Sequence, residues 1–208
     1  MNLHHFVLGP LRSNCYICEN KNGCVIIDPG DETDFLLNFI LSNRLNPVCI
    51  LATHGHFDHI GAVGEIQMSF DIPLYISRQD GFLLKRVNDT AKYFLGYDPC
   101  FLEPKNIIFL DNENQITVGN FEFRILTVPG HTPGSILYLD PAEKYAFIGD
   151  TIFEDGIGRT DFSYSSAEDM LDSIQKILQL PDSTLLYPGH GGSFYVKDKK
   201  QYVKRRID

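Results

Sequence analysis

Apolar residues come in short runs along the chain, most of them four to eight residues long and closed by Gly, Pro or Asn. Runs of that length and boundary predict strands more often than helices. Residues 3–8, 14–19 and 24–28 read as a three-stranded meander, turned at Gly9-Pro10 and at residues 20–23. Phe35, Leu36, Phe39 and Ile40 then share one helical face, which predicts a helix over 33–43 with Asp31 as its cap and Asn46-Pro47 as its stop. A buried strand at 48–52 follows, then a helix over 59–69, where Gly61 and Gly64 indicate close backbone packing. A short strand at 73–76 and a short helix at 78–85 lead into 86–105, which reads as an irregular stretch long enough to be functional. The second half returns to strands, near 106–109, 115–118, 121–128, 135–139, 144–148 and 184–187. One amphipathic helix interrupts them at 167–179, with Met170, Leu171, Ile174, Ile177 and Leu178 on its apolar face.

Composition narrows the function more than the fold. The 208 residues, 43% hydrophobic and 22% charged, predict a single domain over 1–208 with an ordinary core. A net charge of −9 argues against a nucleic-acid partner, since that affinity comes from basic residues on phosphates. No apolar run reaches the length of a membrane span. The N-terminus shows no basic segment ahead of a long apolar one, so no signal peptide is expected. Together with an odd count of five cysteines, read as reduced and buried, this places the protein in the cytoplasm. Cys15 and Cys18 have redox-pair spacing but lie within a strand, so inert thiols are the expectation.

The chemistry sits at strand ends. The run 48–52 opens directly into Thr53-His54-Gly55-His56-Phe57-Asp58-His59. Alternate side chains of an extended segment point the same way, so His54 and His56 leave the strand side by side. Asp58 and His59 follow the bend and can face a second point. Imidazole and carboxylate suit zinc, iron or manganese. A polar loop with satisfied histidines is the plain alternative, but three His and one Asp in six residues favour a metal. Three more such residues follow apolar runs and sit beside small ones: His131 in Pro129-Gly130-His131, Asp150 in Ile148-Gly149-Asp150, and His190 in Pro188-Gly189-His190. Weak internal symmetry joins the halves, since Val25-Ile26-Ile27-Asp28 and Phe147-Ile148-Gly149-Asp150 both run a strand into an Asp.

The series Thr53-His54-x-His56-x-Asp58-His59, then His131, Asp150 and His190, resembles the metallo-β-lactamase-fold hydrolases, and within them the glyoxalase II (hydroxyacylglutathione hydrolase) group. The resemblance spans Asp28 to His190. It implies an α/β four-layer αβ/βα sandwich with metals at one edge between two sheets. It also implies two divalent ions, zinc first and iron or manganese otherwise. His54, His56 and His131 would hold one ion, Asp58, His59 and His190 the other, and Asp150 would bridge them. Two ions about 3.5–4 Å apart can share a water and lower its pKa from about 15.7 towards 7, giving a hydroxide that attacks a thioester carbonyl. Asp58 then has a catalytic role in orienting it. Asp28 and Thr53 are candidates to fix a ligand imidazole through its free N–H, although Asp28 is equally a capping residue of an Asp-Pro-Gly turn. The expected partner is a small-molecule thioester, with no nucleic acid and no membrane.

Two departures shape the expectation. Only some eighteen residues follow His190, so the C-terminal helical domain of the longer glyoxalase II enzymes has no counterpart. Gly158-Arg159-Thr160-Asp161-Phe162 resembles the short bacterial glyoxalase-II-like hydrolases and also the persulfide dioxygenases, which would place one iron on His54, His131 and Asp150. Arg159 and Asp161 are expected to pair and brace a loop near the site, with substrate contact as the lesser reading. The basic segment from Lys197 to Arg206 reads as a solvated terminus, with a hold on an anionic thiol carrier as the lesser reading. Nuclease, di-iron oxygen or nitric oxide reductase and β-lactamase activities fit less well, the last because Asp58 and Asp150 form the thioesterase-type pattern.

Overall fold

A computed structural model describes residues 1–142 and 144–200. Two six-stranded sheets carry the chain. The first has the sequential order β1 (Asn2–Leu8), β2 (Ser13–Asn20), β3 (Gly23–Ile27), β4 (Pro47–Leu51), β5 (Leu74–Ser77), β6 (Ile107–Leu110). The second runs β7 (Gln115–Val118), β8 (Phe121–Thr127), β9 (Ile136–Asp140), β10 (Tyr145–Gly149), β11 (Leu185–Pro188), β12 (Phe194–Tyr195). Helices α1 (Thr33–Ser42), α2 (Phe57–Ile60), α3 (Val63–Phe70), α4 (Gly81–Leu84) and α5 (Val87–Leu95) belong to the first half, and α6 (Ala167–Leu178) to the second.

Strand alternation sorts the side chains into three apolar layers. Cys24, Ile26, Ile50 and Ala52 face Leu36, Ile40, Val63 and Ile66 of the helices over the first sheet. Val25, Ile27, Cys49 and Leu51 point the other way and meet Phe123, Ile136, Tyr138 and Phe147 between the sheets. Leu137, Leu139, Ala146 and Ile148 complete the third layer against Met170, Ile174 and Ile177 of α6. The result is a helix–sheet–sheet–helix sandwich. β3, β4, β9 and β10 are buried on both faces, which explains why they read as continuous apolar runs and not as alternating ones. Each Ile or Phe held this way contributes about 1.5–3 kcal/mol.

Most elements fall within two residues of where the pattern puts them. Three expectations change. The helix read at 59–69 is two helices, α2 and α3, broken around Gly61 and Ala62. The stretch 86–105 is not wholly irregular, because α5 occupies Val87–Leu95 and ends at Gly96 with a left-handed φ of 78°. Asp31 does not cap α1; Glu32 holds the N-cap position with no side-chain cap bond, and Asp31 Oδ1 only accepts the Glu32 N–H at 2.6 Å. Among the described cysteines only Cys100 is exposed, and burial pushes the thiol pKa values of the other four up, as expected of inert thiols.

The basic terminus lies outside the described residues from 201 onward. Its earlier part is not simply solvated. Lys199 is buried against Phe194 and donates to the Glu154 carbonyl, and Lys200 pairs with Asp182 at 2.7 Å. Among the described residues no helix is long and apolar enough to cross a membrane.

Candidate metal centre

Parallel pairing sets the site. β3 runs beside β4 with Ile27 opposite Leu51, so Asp28 and Thr53 emerge together. β10 runs beside β11 with Gly149 opposite Pro188, so Asp150 and His190 emerge together. His131 follows β8 from the same edge. All seven residues expected to hold metal converge there: His54, His56 and His131 form one group, and Asp58, His59 and His190 a second, the polar atoms of each group within 4.8 Å of one another. Asp150 reaches both. Its Oδ1 is 3.5 Å from His59 Nε2, and its Oδ2 is 3.5 Å from His131 Nε2 and 3.6 Å from His190 Nε2. Metal–nitrogen bonds of about 2.0–2.1 Å at tetrahedral angles give ligand-to-ligand edges of about 3.3–3.5 Å.

The hydrogen bonds behind the cluster settle which nitrogen each imidazole offers. His131 Nδ1 donates to the Arg159 carbonyl at 2.8 Å, and His190 Nδ1 to the Arg12 carbonyl at 3.3 Å. His59 Nδ1 donates to Asp28 Oδ2 at 3.1 Å. Thr53 Oγ1 donates to Asp28 Oδ2 at 2.6 Å, so it accepts from His54 Nδ1 at 3.1 Å. These four rings therefore turn Nε2 inward. His56 is reversed: its Nε2 meets the Tyr164 hydroxyl at 2.9 Å, and its Nδ1 faces His131 Nε2 at 2.9 Å. Partners of this kind fix ring orientation and ligand basicity. Asp28 is thus the hub that Thr53 and His59 share, and it takes a left-handed φ of 51° to reach them.

Three buried atoms have no hydrogen-bond partner among the described residues: His54 Nε2, His59 Nε2 and Asp150 Oδ1. Each orphan of this kind costs about 1–3 kcal/mol. All three point into the same volume, and two inward lone pairs, on His56 and His131, also meet there. A divalent cation in each group satisfies these atoms, and the donor set fits one. Gly189 is required for the approach, because a Cβ there would collide with Asp150 Oδ1.

The two groups differ in charge. Burial, then the neighbouring His131, pulls His56 down to about 3, and burial with the surrounding imidazoles holds His54 well below its ordinary value. Burial alone would also lower His59, but Asp58, Asp150 and Asp28 outweigh it and push it up to about 10. Asp58 is held below the usual carboxylate range, since His59 and His190 overcome the effect of burial. A metal-free chain at pH 7 therefore carries a proton on His59 where a cation needs the lone pair. Loading metal at pH 7 is expected to release about one proton per chain from this ring, and acidification is expected to weaken binding. A zinc titration in weakly buffered dye solution measures the release.

Several residues at the site carry no local sequence signal. Asp80 is buried and accepts from Gly55 N at 2.8 Å, Thr132 Oγ1 at 2.7 Å and Gly134 N at 2.7 Å, tying the His54–His56 turn to the His131 loop. Burial raises its pKa against those three bonds. Asn14 Nδ2 donates to the Pro188 and Gly191 carbonyls, and the Tyr16 hydroxyl to Pro188, so β2 grips the His190 loop. Arg159 and Asp161 form a two-pronged pair at 2.9 and 2.8 Å, as expected, with the guanidinium lying over Phe162. Tyr164→Phe removes the partner of His56 and keeps the ring stacked on Phe162. It is expected to weaken one ion about 10–100-fold with little change in unfolding temperature, as read by competition with a chromogenic chelator.

The cluster floors a cavity of about 210 Å³, walled by Leu11, Phe94, Phe162 and Tyr164. The profile of the Metallo-beta-lactamase superfamily matches residues 8–190. The chain is 34% identical over 192 residues to the probable metallo-hydrolase YqgX of Bacillus subtilis, covering 92% of this chain and 90% of that one. It is also 34% identical over 206 residues to the hydroxyacylglutathione hydrolase GloC of Haemophilus influenzae, covering 97% and 96%. Among solved structures it is similar to the BLEG-1 B3 metallo-beta-lactamase, with TM-score 0.90, 34% identity and 96% and 97% coverage. TTHA1623 in a di-iron-bound form gives TM-score 0.87, 33% identity and 95% and 97% coverage. ETHE1 from Myxococcus xanthus gives TM-score 0.77, 26% identity and 97% and 82% coverage.

Proposed function

The chain belongs to the metallo-beta-lactamase superfamily of metal-dependent hydrolases, and from that premise we propose that it hydrolyses thioesters of a small thiol, in the manner of a glyoxalase II. The observation that carries the reading is the complete double set of His and Asp ligands around one bridging carboxylate. His54, His56 and His131 would hold one ion, Asp58, His59 and His190 the other, and Asp150 both. Zinc is the first choice, with iron or manganese next. Two such ions supply Lewis acidity for a carbonyl and an acidified water.

The chain's own residues do the rest. Asp58 lines the cavity as a carboxylate at neutral pH, so it can accept a hydrogen bond from the attacking water and orient it. Asp28, Arg159 O and Arg12 O hold the ligand imidazoles by their outward N–H groups. Leu11, Phe94 and Phe162 exclude bulk water from the acyl group. The thiol leaves as thiolate without a strong general acid, since its pKa is only about 8.5.

The test is hydrolysis of S-lactoylglutathione and a panel of other thioesters by metal-loaded protein, with loss on chelation and recovery on reloading. A chain that holds both metals and cleaves none of them refutes the reading. A chromogenic cephalosporin serves as control and should not be turned over. A second reading, persulfide dioxygenase, draws on the Gly158–Phe162 segment, whose Arg159 carbonyl holds His131, and on the likeness to ETHE1. Oxygen uptake with glutathione persulfide and a single iron per chain would favour it.

A further inference from the structure

The metal cavity does not end at its aromatic wall. A second groove of about 540 Å³ opens beside it, and five residues line both: Thr90, Phe94, Arg159, Phe162 and Tyr164. The larger space thus continues the smaller one outward from the metals, between α5 and the loop 159–164. Its floor is aromatic, with Tyr93 and Phe94 on one side and Phe162 and Tyr164 on the other. A substrate whose carbonyl sits at the metals can send its non-reacting end along this groove.

The charges in the groove indicate what that end is. Three charged residues line the groove. Arg159 is already engaged, by Asp161 and by the faces of Phe162 and Phe94 at 4.6 and 5.9 Å. Arg86 and Asp89 remain, at the start of α5, and both line the groove. They stand three residues apart, close to one helical turn, so their side chains lie on neighbouring parts of one face. Among the described residues neither makes an ion pair with the other or with a third group. One unspent cation beside one unspent anion matches a zwitterion. It does not match a polyphosphate, which would bring several negative charges to a groove with a single unpaired guanidinium.

We propose that this groove is a carrier subsite for the amino-acid terminus of the substrate's thiol, with Arg86 pairing its carboxylate and Asp89 its ammonium group. The aromatic floor covers the intervening chain. This rests on the thioesterase reading for the chemistry at the metals, but binding in the groove is separable from it. The subsite would also assign a role to α5, the element that the hydrophobic pattern alone does not reveal.

The experiment uses the full metal-loaded chain, Arg86→Ala, Asp89→Asn and the control Lys85→Ala. Binding of S-hexylglutathione, a thioether that cannot be hydrolysed, is measured by calorimetry. Arg86→Ala and Asp89→Asn are each expected to weaken it about tenfold or more, and Lys85→Ala to leave it unchanged. In kinetics, the same two variants should raise KM for S-lactoylglutathione at constant kcat. They should leave S-lactoyl-N-acetylcysteamine, which lacks both charged groups, unaffected. No binding of S-hexylglutathione to the parent chain, or equal loss for the charged and uncharged thioesters, overturns the subsite. Arg86- and Asp89-dependent binding in a chain that cleaves no thioester sustains the subsite and removes the thioesterase reading instead.

Discussion

Asp150→Ala is expected to lower thioester turnover by about a thousandfold or more and to loosen both ions at once. The size follows from position. Asp150 has an oxygen 3.5 Å from His59 of one group and another 3.5 Å from His131 of the other. Removing it takes a negative charge from between two sites that would each hold two positive ones. It also leaves His59 and His190 without a carboxylate that raises both of their pKa values, so the metal-free state changes too. Loss of correctly held Lewis acidity is worth several kcal/mol, and about 4 kcal/mol corresponds to a thousandfold. Asp150→Glu keeps the charge but pushes it into the space that Gly189 leaves open for a shorter side chain, so it should recover little. Steady-state kinetics on reloaded protein, with metal content measured alongside, gives the answer. Retained turnover in Asp150→Ala would remove the bridge from the account.

The second large effect is expected at a residue that touches no metal. Asp80→Ala deletes the acceptor for Gly55 N, Gly134 N and Thr132 Oγ1 at a buried position. Those donors flank His54, His56 and His131, so one substitution frees three ligands. Three stranded donors at about 1–3 kcal/mol each, offset by some relaxation, give a loss of about 3–5 kcal/mol. Asp80→Asn should fare only a little better. Whichever way the amide turns, its NH2 group replaces an oxygen that now accepts, and two donors face each other. Chemical denaturation of the metal-free chain should show the stability loss. Metal competition should then show the His54–His56–His131 ion weakened more than the other. A variant as stable as the parent would mean that these bonds are replaced by water.

How far the sequence revealed the site depends on where each contact's partner lies. Two of the segments that carry the proposed metal ligands were legible because a run buried on both faces ends there beside small residues, a local pattern. Val48 to Ala52 into Thr53 is one case, and Ala146 to Gly149 into Asp150 another. Asp28 was readable only as either a turn cap or a hub, and its three accepted bonds to Thr53 and His59 make it the hub. Asp80, Asn14 and Tyr16 were illegible for a physical reason. Their partners in the site loops lie 25 to 177 residues away, most of them backbone groups, and nothing within their own strands or turns marks them. Helix α5 escaped because only Val87 and Ala91 are buried along it, so the period that identifies a helix is nearly absent, while its exposed Tyr93 and Phe94 look like loop residues. The sandwich itself was legible only through family resemblance. Period and spacing gave strands and helices, but no local rule says that Ile27 pairs with Leu51 or that Gly149 pairs with Pro188.

One edge of this sandwich is proposed to grip two cations through a shared carboxylate. Native mass spectrometry of the intact chain, stripped of metal and then titrated with zinc, manganese or iron(II), tests it without reference to any substrate. Two ions per chain are expected, with occupancy of both sites impaired in Asp150→Ala. A chain that takes up no ion, or stops at one with every ligand intact, would contradict it.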